Sequence, residues 1–325
     1  MNRYQHLFGP VPSRRLGWSL GVDLTPFKTC TLDCVFCQLG RTTVKTTERR
    51  EYVPTQSVKR EIDDWLKTDG KADFITLAGS GEPTLHTRFA EIIDFIHARS
   101  AIPVALMTNG TTLFLPEVRA GACRADLVKV TLTAWNEKLF DFIHRPCQEV
   151  TLRRLLEGER QLRQEFHGQL WVEVFLLRGI NSTADDVRSI ARLVRAIKPN
   201  RVQFNTSIRP PAEPLAKAVP SSRLKALASL FDPPAEVVTE FSSHTRPSTV
   251  RANERLILNL LRRRPCTAMQ ISGACNLHGN ESAKHLGRLL RQGTVHADRP
   301  GDGAYYAATG RKQAVDADRS RKGKR

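Results

Sequence analysis

The chain has 325 residues, 40% hydrophobic and 26% charged, which is enough to build a large core and argues against general disorder. Fifty Lys and Arg face 33 Asp and Glu, a formal charge of +17 that favours negatively charged partners, polyphosphate chains above all. No apolar stretch approaches the roughly 18 residues of a membrane span, and MNRYQHLFGPVPSRR has no apolar run after its charges, so neither a membrane nor a signal peptide is expected.

From residue 18 to about 205 strand-like and helix-like runs alternate. WSLGVDL (18–24) predicts a strand, then a cysteine-rich loop, then a helix near 55–67 with Val58, Ile62, Trp65 and Leu66 on one face. DFITLAG (73–79), IPVALMT (102–108), DLVKVTLT (126–133), LWVEVFLL (170–177) and RVQFN (201–205) predict five more strands, with helical segments between them. Such alternation gives an α/β fold with a parallel sheet covered by helices, whose functional loops follow the strands. Periodicity alone does not separate a doubly wound sheet from a barrel.

Residues 209–250 hold seven prolines and one short helix, SSRLKALASLF with Ser221 as its cap, and predict a linker that wraps the core of residues 1–208. Residues 251–309 then predict three helices and a hairpin with a Gly-Asp-Gly turn, an order that resembles a winged helix-turn-helix domain. In NESAKHLGRLLRQG, Lys284, Arg288 and Arg291 share one helical face while Leu286, Leu289 and Leu290 turn inward. The tail, 310–325, is basic and expected to be disordered.

The densest chemistry lies in TPFKTCTLDCVFCQLG, where Cys30, Cys34 and Cys37 are spaced C-x3-C-x2-C. In the reducing cytosol, the expected compartment, clustered cysteines mean metal or catalysis more often than disulfides. Three buried structural cysteines would be unusual. A structural zinc needs a fourth ligand, and Cys123, Cys147, Cys266, Cys275 and the histidines offer none at a finger-like spacing. A 4Fe–4S cluster is normally held by four thiolates. Three leave one iron open to a small molecule, as reactive metal sites require.

This spacing, with Phe36 before the last cysteine and after a first strand, resembles the radical S-adenosylmethionine superfamily. Other motifs agree. GSGEPT (79–84) is similar to the family's Gly-Gly-Glu-Pro loop, and MTNGT (107–111) and VKVTLTAW (128–135) fall where the family places further polar contacts. The resemblance spans residues 14 to about 205 and implies a partial (β/α)6 barrel. It also implies one 4Fe–4S cluster on the three cysteines and S-adenosylmethionine at the open iron. An external low-potential donor would reduce the cluster, and cleavage of the sulfonium would yield a 5′-deoxyadenosyl radical that abstracts hydrogen. Carried over residue by residue, the cofactor contacts are Phe36, Gly79, Ser80, Gly81, Glu82, Pro83, Thr108, Asn109, Thr131, Thr133 and Asn205, with Glu82 accepting from the methionyl ammonium.

PSRRLGWSLGVDL, LAGSGEPTLH and FNTSIRPPAEP are most similar to the branch of the tRNA wyosine-base synthases and their bacterial relatives. No cysteine precedes Cys30, so the second cluster of those synthases has no ligands here. Cys123 and Cys147 read as small packed residues, and Lys28 and Lys129, the lysines near the site, do not match the synthase pattern. The branch, the charge and the basic helix together imply action on nucleic acid, first a tRNA base, with Lys284, Arg288 and Arg291 on RNA or DNA. The alternatives are a protein, peptide or small-metabolite substrate, with the C-terminal domain for interaction or regulation, and an iron–sulfur redox sensor that binds DNA. The GSGEPT loop disfavours the sensor, which needs no amine-binding carboxylate.

Overall fold

The computed structural model describes residues 4–238, 254–263, 265–275, 277–298 and 304–309. A hairpin opens the chain: β1 (Leu7–Ser13) runs antiparallel to β2 (Gly17–Val22). Two short parallel strands, β3 (Thr29–Cys30) and β4 (Val44–Lys45), bracket the cysteine loop. Then come α1 (Thr55–Thr68), β5 (Phe74–Leu77), α2 (Phe89–His97), β6 (Val104–Met107), α3 (Pro116–Ala122) and β7 (Leu127–Thr131). The helical stretch expected before residue 166 divides into α4 (Glu137–His144) and α5 (Leu152–Glu165), and β8 (Gln169–Leu176), α6 (Ala184–Ile197) and β9 (Arg201–Thr206) follow.

The six strands read from the sequence lie side by side in chain order, β2-β5-β6-β7-β8-β9, all parallel, with β1 antiparallel at one edge. Period-2 alternation gives the sheet two unlike faces. On β8, Leu170, Val172, Val174 and Leu176 join one large core with Ile62, Ile92, Val118, Leu162 and Ile190 from the helices. Trp171, Glu173 and Phe175 point the other way. Helices thus cover one face and strand order follows chain order, so the sheet is not doubly wound. The opposite, inner face carries the polar side chains Ser19, Thr76, Lys129, Glu173 and Asn205.

The proline-rich segment does more than wrap. After α7 (Ser221–Ala228), β10 (Glu236–Val237) pairs parallel to β9 as an eighth strand. Leu224, Leu227, Ala228 and Phe231 pack into the main core. Ser221 is not the cap; Pro220 occupies that position, without a side-chain cap bond, and Ser221 is the first helical residue.

The C-terminal unit comprises α8 (Glu254–Arg263), β11 (Cys266–Thr267), α9 (Ala268–Cys275), α10 (Gly279–Arg291), β12 (Val295–Asp298) and β13 (Tyr305–Ala308), with an antiparallel sheet ordered β11-β13-β12. Its core of Ile257, Leu260, Leu261, Ile271, Leu286 and Leu289 also takes in Val11 of β1, so the unit docks on the edge of the main sheet. Arg263 reinforces the contact: it donates to Gln5 O at 3.0 Å, lies over the Phe8 ring and approaches Asp23 at 3.7 Å. The Gly-Asp-Gly turn and the basic tail lie outside the described residues. Among the described residues no helix is long and apolar enough to cross a membrane.

On α10 the inward stripe is Ser282, Leu286 and Leu289, at i, i+4 and i+7. Leu290, expected inside, falls off that stripe and is 39% exposed. Leu289→Ala should therefore cost about 2–5 kcal/mol in chemical denaturation, whereas Leu290→Ala should stay within about 0.5 kcal/mol.

Candidate active site

The cysteine loop is clamped from both sides. Asp33 accepts from Arg41 Nε and from Thr42 N, both at 2.7 Å, and its own N–H donates to His144 O. Val35 N donates to Ile143 O, and Glu213 N to Val35 O, so the end of α4 and the proline-rich segment both hold the loop. Arg41 and Arg145 share the Glu213 carboxylate. Phe36 stacks on Phe175 with ring centroids 4.2 Å apart and meets His144 edge-on, which anchors the loop to the inner face of β8.

Each cysteine sulfur has its own polar neighbour. Lys28 Nζ donates to Cys37 Sγ at 3.1 Å, His144 Nδ1 lies 3.1 Å from Cys34 Sγ, and Asn109 Nδ2 approaches Cys30 Sγ at 3.5 Å. Burial pushes the Cys30 thiol up to about 12, with the Glu82 carboxylate adding to the effect, and burial raises Cys34 well above the usual thiol range. Thiols so placed ionise only against a strong cation, which is how metal ligands behave. Burial opposes the charge of Lys28, but attraction to Cys37, Cys30 and Cys34 outweighs it and raises its pKa. His144 is neutral, because burial lowers it to about 3. Among the described residues no three Cys, His, Asp or Glu groups converge as one metal ion would need. Three half-buried soft donors, each with its own polar neighbour, suit the corners of an iron–sulfur cluster.

The GSGEPT loop follows β5 and lies against the strand that carries Cys30. A Cβ on Gly81 would sit 1.8 Å from Thr29 O, so only glycine permits the approach, and Glu82 N donates to that same oxygen at 3.1 Å. Gly79 abuts Asp23, whose carboxylate takes both the N–H and the hydroxyl of Ser80. Pro83 begins a single 3-10 turn. Glu82 is buried: Oε1 accepts from Thr84 N, Thr84 Oγ1 and Thr108 Oγ1, and Oε2 accepts from Asn109 N at 2.8 Å. Burial raises its pKa against those four hydrogen bonds.

The remaining residues singled out in the sequence divide between two places. Thr108 and Asn109 join Glu82 and Cys30. Thr133 is buried just beyond β7, and its hydroxyl has no partner among the described residues. Thr131 ends β7, half-buried. Asn205 sits deeper, where it donates to Glu173 at 2.8 Å and accepts from Arg14. Lys284, Arg288 and Arg291 lie on α10, far along the chain from this group, and Arg288 is paired with Glu254 at 3.0 Å. In the sequence Lys28 stands out only as a lysine near the site, and His144 does not stand out at all. No local signal marks His144, since it lies 110 positions from its cysteine partner.

Gly81→Ala should lower the unfolding free energy by about 1–3 kcal/mol in urea titration, because the backbone it would strike cannot yield cheaply. His144 stays neutral down to about pH 3, whereas an unfolded histidine protonates near 6.5. Its contribution is complete above about pH 6.5 and falls away towards pH 3, by at most about 1.4 kcal/mol per pH unit. His144→Gln should flatten that part of the acid-denaturation curve.

Comparison with known proteins agrees with this geometry. The family model described as the Radical SAM superfamily matches residues 24–194. A UPF0026 protein of Methanocaldococcus jannaschii is 34% identical over 69% of this chain and 70% of its own length. A Brachyspira hyodysenteriae protein named GTPase Obg is 34% identical over 90% of this chain, which spans only 44% of that protein. The dual-specificity RNA methyltransferase RlmN of a Caulobacter species is 27% identical over 54% of this chain and 46% of its own. A radical SAM methyltransferase structure from Sphaerobacter thermophilus shares the fold, with a TM-score of 0.53 and 18% identity over 67% of this chain and 65% of that one. The chain thus belongs to the radical SAM superfamily, a family of enzymes that use a 4Fe–4S cluster and S-adenosylmethionine.

Proposed function

We propose that this enzyme works in the cytosol and modifies a base in RNA, with tRNA as the first candidate. When bound, the cluster and S-adenosylmethionine would supply a 5′-deoxyadenosyl radical for hydrogen abstraction. In this reading Cys30, Cys34 and Cys37 hold the cluster, and Lys28, His144 and Asn109 tune it through their hydrogen bonds to sulfur. Glu82 Oε2, which accepts only Asn109 N among the described residues, receives the methionyl ammonium. Gly79, Ser80, Gly81 and Pro83 shape the loop around it, and Phe36, Thr108, Thr131, Thr133 and Asn205 stand around the same cofactor.

One observation carries the RNA reading. Helix α10 presents Lys284 and Arg291 to solvent on a unit docked beside the sheet that bears the site. The order helix, strand, two helices and hairpin fits a winged helix, and the charge of +17 suits a phosphate backbone. The resemblance to an RNA methyltransferase supports the same substrate class.

Protein reconstituted without oxygen and then reduced should carry about four irons and release 5′-deoxyadenosine, and Ser at Cys30, Cys34 or Cys37 should abolish both. Crosslinking and sequencing of bound RNA tests the substrate. Lys284→Ala with Arg291→Ala should weaken RNA binding across sequences and reduce the slope of log affinity against log salt by about 2. Affinity indifferent to salt would count against RNA.

A further inference from the structure

Three Lys and Arg residues are buried among the described residues: Lys28, Arg119 and Lys129. Two of them are answered by a carboxylate. Lys129 Nζ donates to Glu173 Oε2, and Arg119 Nε donates to Glu165 Oε1 at 2.8 Å. Lys28 is only 3% exposed, and it forms no ion pair with a carboxylate among the described residues. Its ammonium donates to Cys37 Sγ at 3.1 Å, and its charge also acts on Cys30 and Cys34. A cation held out of water needs an opposite charge close by. Here the three cysteine sulfurs are that charge.

The backbone makes the same point independently. Lys28 has a φ of +58°, a left-handed conformation that favours glycine and is costly for a residue with a Cβ. Arg145 and Lys198, the other two non-glycine residues with positive φ among those described, close α4 and α6, where that conformation is routine. Lys28 closes no helix. Its neighbours hold it in place: its N–H donates to Ser80 O at 2.7 Å, and its carbonyl accepts from Thr43 N at 3.2 Å and Val44 N at 3.1 Å. Strain kept in place by so many bonds marks a functional position. Glycine would make the same turn without strain, so what lysine adds there is the ammonium.

We propose that Lys28 is a fixed positive charge that raises the reduction potential of the cluster held by Cys30, Cys34 and Cys37, so that an external donor can reduce it. The inference rests on the reading of those three cysteines as the cluster ligands. In the step concerned the low-potential donor loses one electron to the cluster, the negative charge beside Lys28 grows by one, and no proton moves. A cation at that range favours the more negative state, and the poorly solvated site magnifies the effect. Lys28 is a positioning residue that acts through Cys37. Its effect comes from its charge, over and above its hydrogen bond to sulfur.

Redox titration of the full-length, anaerobically reconstituted protein, followed by the electron paramagnetic resonance signal of the reduced cluster, tests this without RNA or S-adenosylmethionine. Iron is counted in every sample. In Lys28→Gln and Lys28→Gly the ratio of reduced to oxidised cluster at a fixed potential should fall at least tenfold, a downward shift of about 59 mV for one electron. Lys28→Arg, which keeps the charge, should recover most of that shift. Lys28→Gly relieves the left-handed backbone, so the thermal midpoint of its apoprotein should not fall, and a folding defect would not account for the change. An unmoved potential in iron-loaded Gln and Gly variants would overturn the inference. Loss of iron from both variants, with the unaltered protein loaded, would overturn it too, since Lys28 would then serve to build the cluster. Failure of the unaltered protein to hold iron would instead overturn the cluster reading, and this inference with it.

Discussion

The buried carboxylate of Glu82 ties three separate pieces of chain into one site. It receives hydrogen bonds from Thr84 within its own loop and from Thr108 and Asn109 in the loop after β6. Its backbone N–H meets Thr29, one residue before the first cysteine. A charge out of water persists only where donors surround it, so any displacement of one loop leaves the carboxylate under-bonded. The loops are therefore fixed relative to one another, and Gly81 is the residue that lets them come close enough.

That knot sits on a sheet whose two faces do different work. The outward face is apolar and buried under helices, which supplies the stability on which a charged site can rest. The inward face is polar, from the Ser19–Thr76 hydroxyl pair to the cations around Glu173.

The C-terminal unit is tied to the same network. Asp23 carries both hydrogen bonds of Ser80 and faces Arg263 at the end of α8. A shift of that unit on β1 would alter the electrostatics around Asp23, one bond away from the GSGEPT loop. The docking of the C-terminal unit and the shape of the GSGEPT loop are in this way physically adjacent.

The sequence by itself determined the alternation of strands and helices, because period-2 and period-3.6 patterns report which face of each element is buried. It also determined the chemistry, because C-x3-C-x2-C and GSGEPT are local strings whose meaning lies in their spacing. It did not reveal β1 and β10: a strand interrupted by prolines and one of two residues carry too little pattern to register. Leu290 shows the same limit, since three leucines in five positions leave open which of them faces in. Tertiary structure alone brought His144 to Cys34 and Arg14 to Asn205, and set Arg15 and Lys129 on Glu173, across separations from 44 to 191 positions. Contacts at that range are made by strand order and crossover geometry, which no local stretch of sequence contains.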